Sequence, residues 1–358
     1  MAEPLINVRS ETRTLVGMES EAVLVGTIAA GLGAIVGALA FGGENPPIWG
    51  GWSLGLVAAI VVLVFGLIAG FLGYWRSRHI SGQEWRLDLK PWKFILDATS
   101  VAGVHTLIAT LGTMATFFLL QLSFQGLYVD GWTSSAGIAL ASGLATYLIY
   151  LSVSKIDTTK MATLLVMFMV VSTLTVMSTA QDPQWWEYHF SQLGTFDTRS
   201  SGLFNLTLIV SGLLVTTFAL YLQRDIRRLT DAGILAHAWS ARVVSVLFIV
   251  LGLMLAGVGA FPVDVNAFMH NTCASGMAVA FGGLLISAPW VLRGMPVTFF
   301  LVTGGFLAGM VVSVILFAVT GYFNLTAFEL VVFAIIFGWI ATFIRFLSAT
   351  ANQAEASA

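Results

Sequence analysis

The sequence predicts an all-helical polytopic membrane bundle of about ten spans. Only 9% of the 358 residues are charged, against roughly 25% in a soluble domain, which needs charge to cover its surface in water. The apolar residues fall in runs of about 20, the length a helix rising about 1.5 Å per residue needs to cross about 30 Å of hydrocarbon. The basic residues, finally, sort almost entirely to one side of the bilayer once those runs are read as spans.

The chain opens on a polar stretch, 1–20, carrying Glu3, Arg9, Glu11, Arg13 and Glu19; the apolar run behind it is long enough to span, so we expect no cleaved signal peptide. Spans are expected at about 21–42, 52–75, 98–122, 132–154 and 160–180, then at 201–222, 241–261, 268–291, 297–320 and 325–347. Each is bounded by charge, by punctuation such as Asn45-Pro46-Pro47, or by an aromatic belt such as Tyr74-Trp75. The segment 76–97, basic and carrying Trp85 and Trp92, is expected to lie on the anionic inner leaflet. The stretch from Ser154 to Lys160 is too polar for hydrocarbon and separates the fourth and fifth spans. The last residues, 349–358, read as a short cytoplasmic tail.

With the N-terminus inside, 15 of the 16 Lys and Arg fall on inner segments and only Arg199 falls outside. An extra or missing span would scramble that alternation, so the bias supports helix count and orientation together. Both termini are then expected in the cytoplasm, at the inner membrane.

Two halves, 21–180 and 181–348, show a sparse internal likeness. Ile28, Gly31, Leu32, Ala38 and Leu39 match Ile209, Gly212, Leu213, Ala219 and Leu220 at one offset. Trp52-Ser53 matches Trp239-Ser240, and Gly66, Leu67 and Gly73 match Gly252, Leu253 and Gly259. The third and eighth helices each carry a histidine, His105 and His270. Five helices per half would make the repeats inverted, an arrangement known from transporters. Gly, Ala, Leu and Ile dominate every membrane helix, so chance produces such matches readily.

Net charge of −2 with no basic patch excludes a nucleic-acid binder. One cysteine, Cys273, excludes an internal disulfide framework and is read as a small packing residue. There is no phosphate loop, no flavin or nicotinamide fingerprint, and no bis-histidine pairing for haem. Gly282-Gly283 and Gly304-Gly305, with Ala136, Gly137, Ala139, Ala141 and Gly143, are expected to allow close helix approach.

Polar groups inside a membrane are expensive and usually have a reason. Here they gather on the outer side of the second half: Glu187 and His189 between helices 5 and 6, Asn205 one turn into helix 6, Asp264 and His270 at the start of helix 8, and Glu329 one turn into helix 10. Three readings stand open. Glu187, His189, Asp264 and His270 could hold a metal, zinc being the ion these residue types suit, that activates water against a lipid ester or amide. His270, Glu329 and Asp264 could instead titrate in an ion- or proton-coupled gate. Or the loops simply cap the bundle, with Asp264 as the N-cap of helix 8, Asp197 paired to Arg199, and Asn205 bonding between helices. Trp185 and Trp186 read as interfacial anchors, or as a lid over a lipid-sized groove. His105 reads as satisfied within the bundle, by Asp97 or a neighbouring helix; His79 and His237 read as solvated.

The run Ser191, Leu193, Gly194, then Phe204-Asn205 with Ser211-Gly212-Leu213-Leu214, then Gly259, Phe261, Pro262, Asp264 and His270 resembles a prokaryotic membrane family catalogued as domain of unknown function 998. It departs in Ala260 and in a longer Trp-rich approach to Ser191. The resemblance covers about 185–345 and implies a shared fold and shared positions, and no reaction. Residues 1–180 resemble nothing we can name. The functional expectation is a protein that handles a lipid or small amphiphile at the outer cluster, by binding or transport. A metal-dependent lipid hydrolase and an accessory subunit of a membrane complex are the alternatives. The partners expected are membrane lipids and other membrane subunits.

Overall fold

The computed structural model describes residues 3–80, 83–195 and 199–357, with side chains placed for 16–80, 83–195, 200–351 and 353. Among the described residues there are ten helices long and apolar enough to cross a membrane, and no strand. They are α1 (Glu3–Phe41), α2 (Leu54–Ser77), α3 (Pro91–Ser123), α4 (Gly131–Ser154), α5 (Thr158–Thr179), α6 (Arg199–Asp231), α7 (Ser240–Ala260), α8 (Val263–Val291), α9 (Val297–Val314) and α10 (Leu325–Ser357). The protein is therefore a multi-pass membrane protein. Its surface agrees: Leu39 is 83% exposed, Phe268 78% and Leu140 71%, positions that are tolerable only where the solvent is lipid. Exposed hydroxyls settle their own hydrogen bonds within the helix, as Thr27 Oγ1 does on the Val23 carbonyl and Thr116 Oγ1 on that of Gly112, both at 2.8 Å.

Several helices outrun their apolar cores. α6 continues to Asp231 because Leu222, Ile226 and Leu229 stay buried on one face while Arg227 and Arg228 face out, an amphipathic continuation that hydropathy alone passes over. α3 starts at Pro91 rather than near 98, with proline in the first turn, where its missing N–H costs nothing. Short polar side chains set other starts: Ser53 Oγ accepts from Leu56 N at 3.3 Å, Asp130 Oδ1 from Trp132 N and Thr133 N at 3.1 Å each, and Asp157 Oδ1 from Lys160 N at 2.8 Å.

The helices form two compact units, Met1–Ile156 and Asp157–Ala358. In the first, α4 lies along α1 and α2, and α2 pairs with α3. The α1–α4 contact depends on glycine: a Cβ at Gly33 would lie 2.3 Å from Ser142 Oγ, and one at Gly37 2.6 Å from Ser135 Cα. Across it the buried Ser142 hydroxyl reaches the Ala29 carbonyl at 3.1 Å. In the second unit α6 packs most closely on α7, and α7 on α8, while α5 and α10 flank α6. At the α6–α7 crossing a Cβ at Gly212 would lie 2.4 Å from the Ala256 nitrogen, and one at Gly252 2.5 Å from Thr216 Oγ1. An aromatic stack of Trp339 on Phe343, centroids 5.1 Å apart, fills the interior, and the buried Trp339 indole donates to Thr303 Oγ1 at 3.1 Å.

The units divide at 156/157, four helices and six, rather than five and five at 180/181, because α5 packs on α6 and α10. The internal likeness has a counterpart in packing only in part: α2 pairs with α3 as α7 does with α8, and Gly66, Gly73, Gly252 and Gly259 all lie at close contacts. But α1 meets chiefly α4 whereas α6 meets chiefly α7, and Gly31 faces open space where Gly212 is pressed against α7. The glycine pairs are also displaced. Nothing approaches Gly282, Gly304 or Gly305 within 4 Å, and Gly283 meets Leu247 only at ordinary contact, 3.6 Å. Gly143, by contrast, does lie against Ala30, whose Cβ would be 2.8 Å from its own.

Candidate functional site

The segment between α5 and α6 folds into two short 3-10 turns, Trp185–Glu187 and Phe190–Gly194. Its entry is an Asp-Pro turn in which Asp182 Oδ1 accepts from Gln184 N at 2.8 Å. Trp185 then turns inward and is 8% exposed. Phe190 packs between it and Phe204 of α6, with centroids at 6.5 and 5.2 Å, and also against Phe333 of α10 at 5.7 Å. The expected pair of tryptophan anchors therefore splits: Trp186, 51% exposed, faces out as an anchor would, and Trp185 belongs to the core.

Four side chains, three on helices and one just ahead of α10, fasten this loop. His270 of α8 is 5% exposed, with Nδ1 2.9 Å from the Phe261 carbonyl oxygen and Nε2 3.0 Å from Ser191 Oγ. A carbonyl only accepts, so Nδ1 carries a proton, and Nε2 shares a hydrogen bond with the Ser191 hydroxyl. Glu329 of α10 accepts the Phe190 amide at 2.5 Å and also meets the Ser191 amide. Asn205 of α6 donates to the Gly194 carbonyl at 2.9 Å, and a Cβ at Gly194 would lie 2.5 Å from Asn205 Oδ1, so only glycine fits there. Asn324, just before α10, donates to the Trp186 carbonyl at 2.9 Å while its Oδ1 caps Ala327 N at 2.9 Å. Between this loop, the end of α5 and the start of α6 lies a cleft of about 290 Å³, lined by Gln181, Asp182, Trp185, Gln192, Thr195 and Ser200.

Of the six candidates from the sequence, His270, Glu329 and Asn205 thus converge on one loop. His189 borders them, half-buried; burial, and then the neighbouring charge of His270, hold its imidazole below the ordinary histidine range. Glu187 and Asp264 are exposed. Among the described residues no three His, Cys, Asp or Glu are placed to share a metal ion, so Glu187, His189, Asp264 and His270 do not form the ligand set that zinc would need. Asp264 does not cap α8 either. Asn266 leaves the helical conformation (φ −152°, ψ 82°) and its Oδ1 accepts Met269 N at 3.0 Å, restarting the helix there. Asn205 bonds to the loop rather than to another helix, and Asp197 with the Arg199 side chain lies outside the described residues.

Residue typing passed over Ser191, Asn266 and Asn324. Ser191 had a signal, the Ser-x-Leu-Gly run; the two asparagines signalled only as turn residues ahead of apolar helices. His105 is satisfied as expected, through a neighbouring helix: Nδ1 donates to the Val101 carbonyl at 2.8 Å, and Ser152 of α4 donates to Nε2 at 2.9 Å. His79 is exposed, while His237 stacks on Trp239 with centroids 5.0 Å apart. Cys273 is buried against α7, where a Cβ at Gly257 would lie 2.5 Å from its sulfur.

No curated protein and no solved structure matches this chain. Over residues 161–345, however, it matches the family model described as protein of unknown function (DUF998). That match begins at the first turn of α5, ends near the close of α10, and takes in every residue that builds and fastens the loop. The match covers more than half of the chain, and the protein belongs to the DUF998 family.

Proposed function

We propose that the second unit handles a lipid or small amphiphile, by binding or transport, at the loop between α5 and α6. One observation carries the reading: a polar-rimmed cleft beside a loop fastened by a buried histidine, at the end of a bundle whose outer surface is apolar. An amphiphile needs both surfaces at once, hydrogen-bonding groups for its head and a hydrocarbon-facing wall for its tail. The bias of the basic residues supports an outer position for this loop at the inner membrane, with both termini in the cytoplasm. The test is lipid analysis of protein extracted in mild detergent, comparing wild type with Gln192→Trp, which fills the cleft. We expect one amphiphile enriched in wild type and lost from the variant. An identical complement in both would overturn the reading, and a protein co-purifying in fixed ratio in its place would favour the accessory-subunit role.

A second reading, hydrolysis of a lipid ester, is favoured by the bond from Ser191 Oγ to His270 Nε2. In that reaction the Ser191 oxygen attacks the ester carbonyl carbon while its proton passes to His270 Nε2 and on to the departing alcohol. Water then cleaves the acyl-serine, releasing the acid and restoring the hydroxyl. The bond from Ser152 to His105, made between two helices of the first unit, shows that such a pair also serves packing alone. A serine-directed fluorophosphonate separates the two: labelling of Ser191 that His270→Gln abolishes supports hydrolysis, and no labelling removes it.

A further inference from the structure

The first unit holds a larger cleft, of about 440 Å³, where α2 leaves the bundle. Met18 and Glu21 of α1, Trp75 and Arg76 of α2, His79 in the turn that follows and Tyr150 of α4 are among its walls. Arg76 and Glu21 pair at two points, Nε to Oε2 at 2.9 Å and Nη2 to Oε1 at 2.5 Å, and Tyr150 donates to Oε2 at 2.5 Å. Glu21 thus takes three of the about four hydrogen bonds that a carboxylate accepts. The guanidinium offers about five N–H donors; two are on Glu21, and the Tyr150 oxygen lies within reach of it. Arg78 Nε meets His79 Nε2 at 3.3 Å, which leaves the proton of the neutral ring on Nδ1 as a further donor. The unspent hydrogen-bonding capacity of the cleft is therefore donor capacity, beside an apolar wall of Met18 and Trp75 and within a basic stretch that includes Arg78, Lys90 and Lys93.

We propose that this cleft binds a phosphate group carried by a membrane phospholipid. Arg76 and His79 hold the phosphate oxygens, Glu21 and Tyr150 hold the guanidinium fork in position, and Trp75 and Met18 meet the glycerol and the first acyl carbons. The two-point clamp presets the fork, so little side-chain entropy is lost when the anion arrives. The inference is independent of the reading given to the second unit, since every residue it uses lies in the first.

The test uses the full chain in detergent, with binding of dihexanoyl-phosphatidylglycerol, dihexanoylglycerol and inorganic phosphate followed by native mass spectrometry. We expect the phospholipid to bind, the phosphate-free diacylglycerol to bind about tenfold more weakly, Arg76→Gln to lose about tenfold in affinity and His79→Gln severalfold. Equal affinity for phospholipid and diacylglycerol, or equal affinity in wild type and Arg76→Gln, would overturn the proposal. Inorganic phosphate binding as tightly as the phospholipid would overturn the lipid source. Should Arg76→Gln fail to fold, the exposed His79 carries the test, and unchanged affinity in His79→Gln overturns it.

Discussion

His270 and His105 show how a single imidazole is made affordable in a membrane protein. Each ring has a partner at both nitrogens, a backbone carbonyl taking the Nδ1 proton and a serine hydroxyl filling Nε2. An unfilled buried nitrogen would cost about 1–3 kcal/mol, which is why both positions need two partners rather than one. His189 differs, since its ring is half-buried beside His270 and its proton affinity is lowered by burial first and by that neighbour second. The sign follows. Below the ordinary histidine value of about 6.5, the unfolded chain takes up a proton that the folded loop resists, so His189 lowers stability as pH falls through that range and has no such effect above it. Thermal unfolding from pH 8 down to pH 5 should therefore show wild type losing ground to His189→Gln on the acid side. Parallel curves for the two proteins would contradict this.

At the scale of helices, contact distance is set by which glycines lie at crossings. Gly212 and Gly252 let the α6 and α7 backbones touch, and Gly33 and Gly37 do the same for α1 on α4. A larger side chain at such a place forces the helices apart, at about 1–3 kcal/mol or more. We expect Gly212→Leu to lower the unfolding temperature in detergent by several degrees, and Gly282→Leu, where nothing approaches, to leave it nearly unchanged. Equal shifts in the two variants would mean that the α6–α7 crossing is not tight. Counting glycines along the sequence does not distinguish these sites, because Gly282-Gly283 looks more like a packing motif than Gly212 does. Only the neighbour across the crossing makes the difference.

The whole molecule consists of two compact units, and the threading we propose for it rests on the bias of its basic residues. Cys273 is the single native cysteine and is buried, so single-cysteine labelling reports cleanly. Gln184→Cys should react with a membrane-impermeant maleimide on intact cells, and Lys93→Cys only after permeabilisation. The reverse pattern would invert the topology and move the α5–α6 loop to the cytoplasmic side.

The helical class, the ten spans and the family were legible in the sequence, because the cost of placing charge or open backbone in hydrocarbon acts on each segment by itself and leaves runs of fixed length. Part of the candidate site was legible for the same reason, since His270, Glu329 and Asn205 stand out as polar groups in apolar surroundings. What a residue touches depends on residues far along the chain, and that only the tertiary structure decided. It paired Ser191 with His270 across 79 positions and Phe190 with Glu329 across 139. It set Trp185 inward and Trp186 outward, left Glu187 and Asp264 outside any metal-holding group among the described residues, and joined α5 to the second unit. Hydropathy is a property of a segment, whereas a site is a property of the contacts between segments.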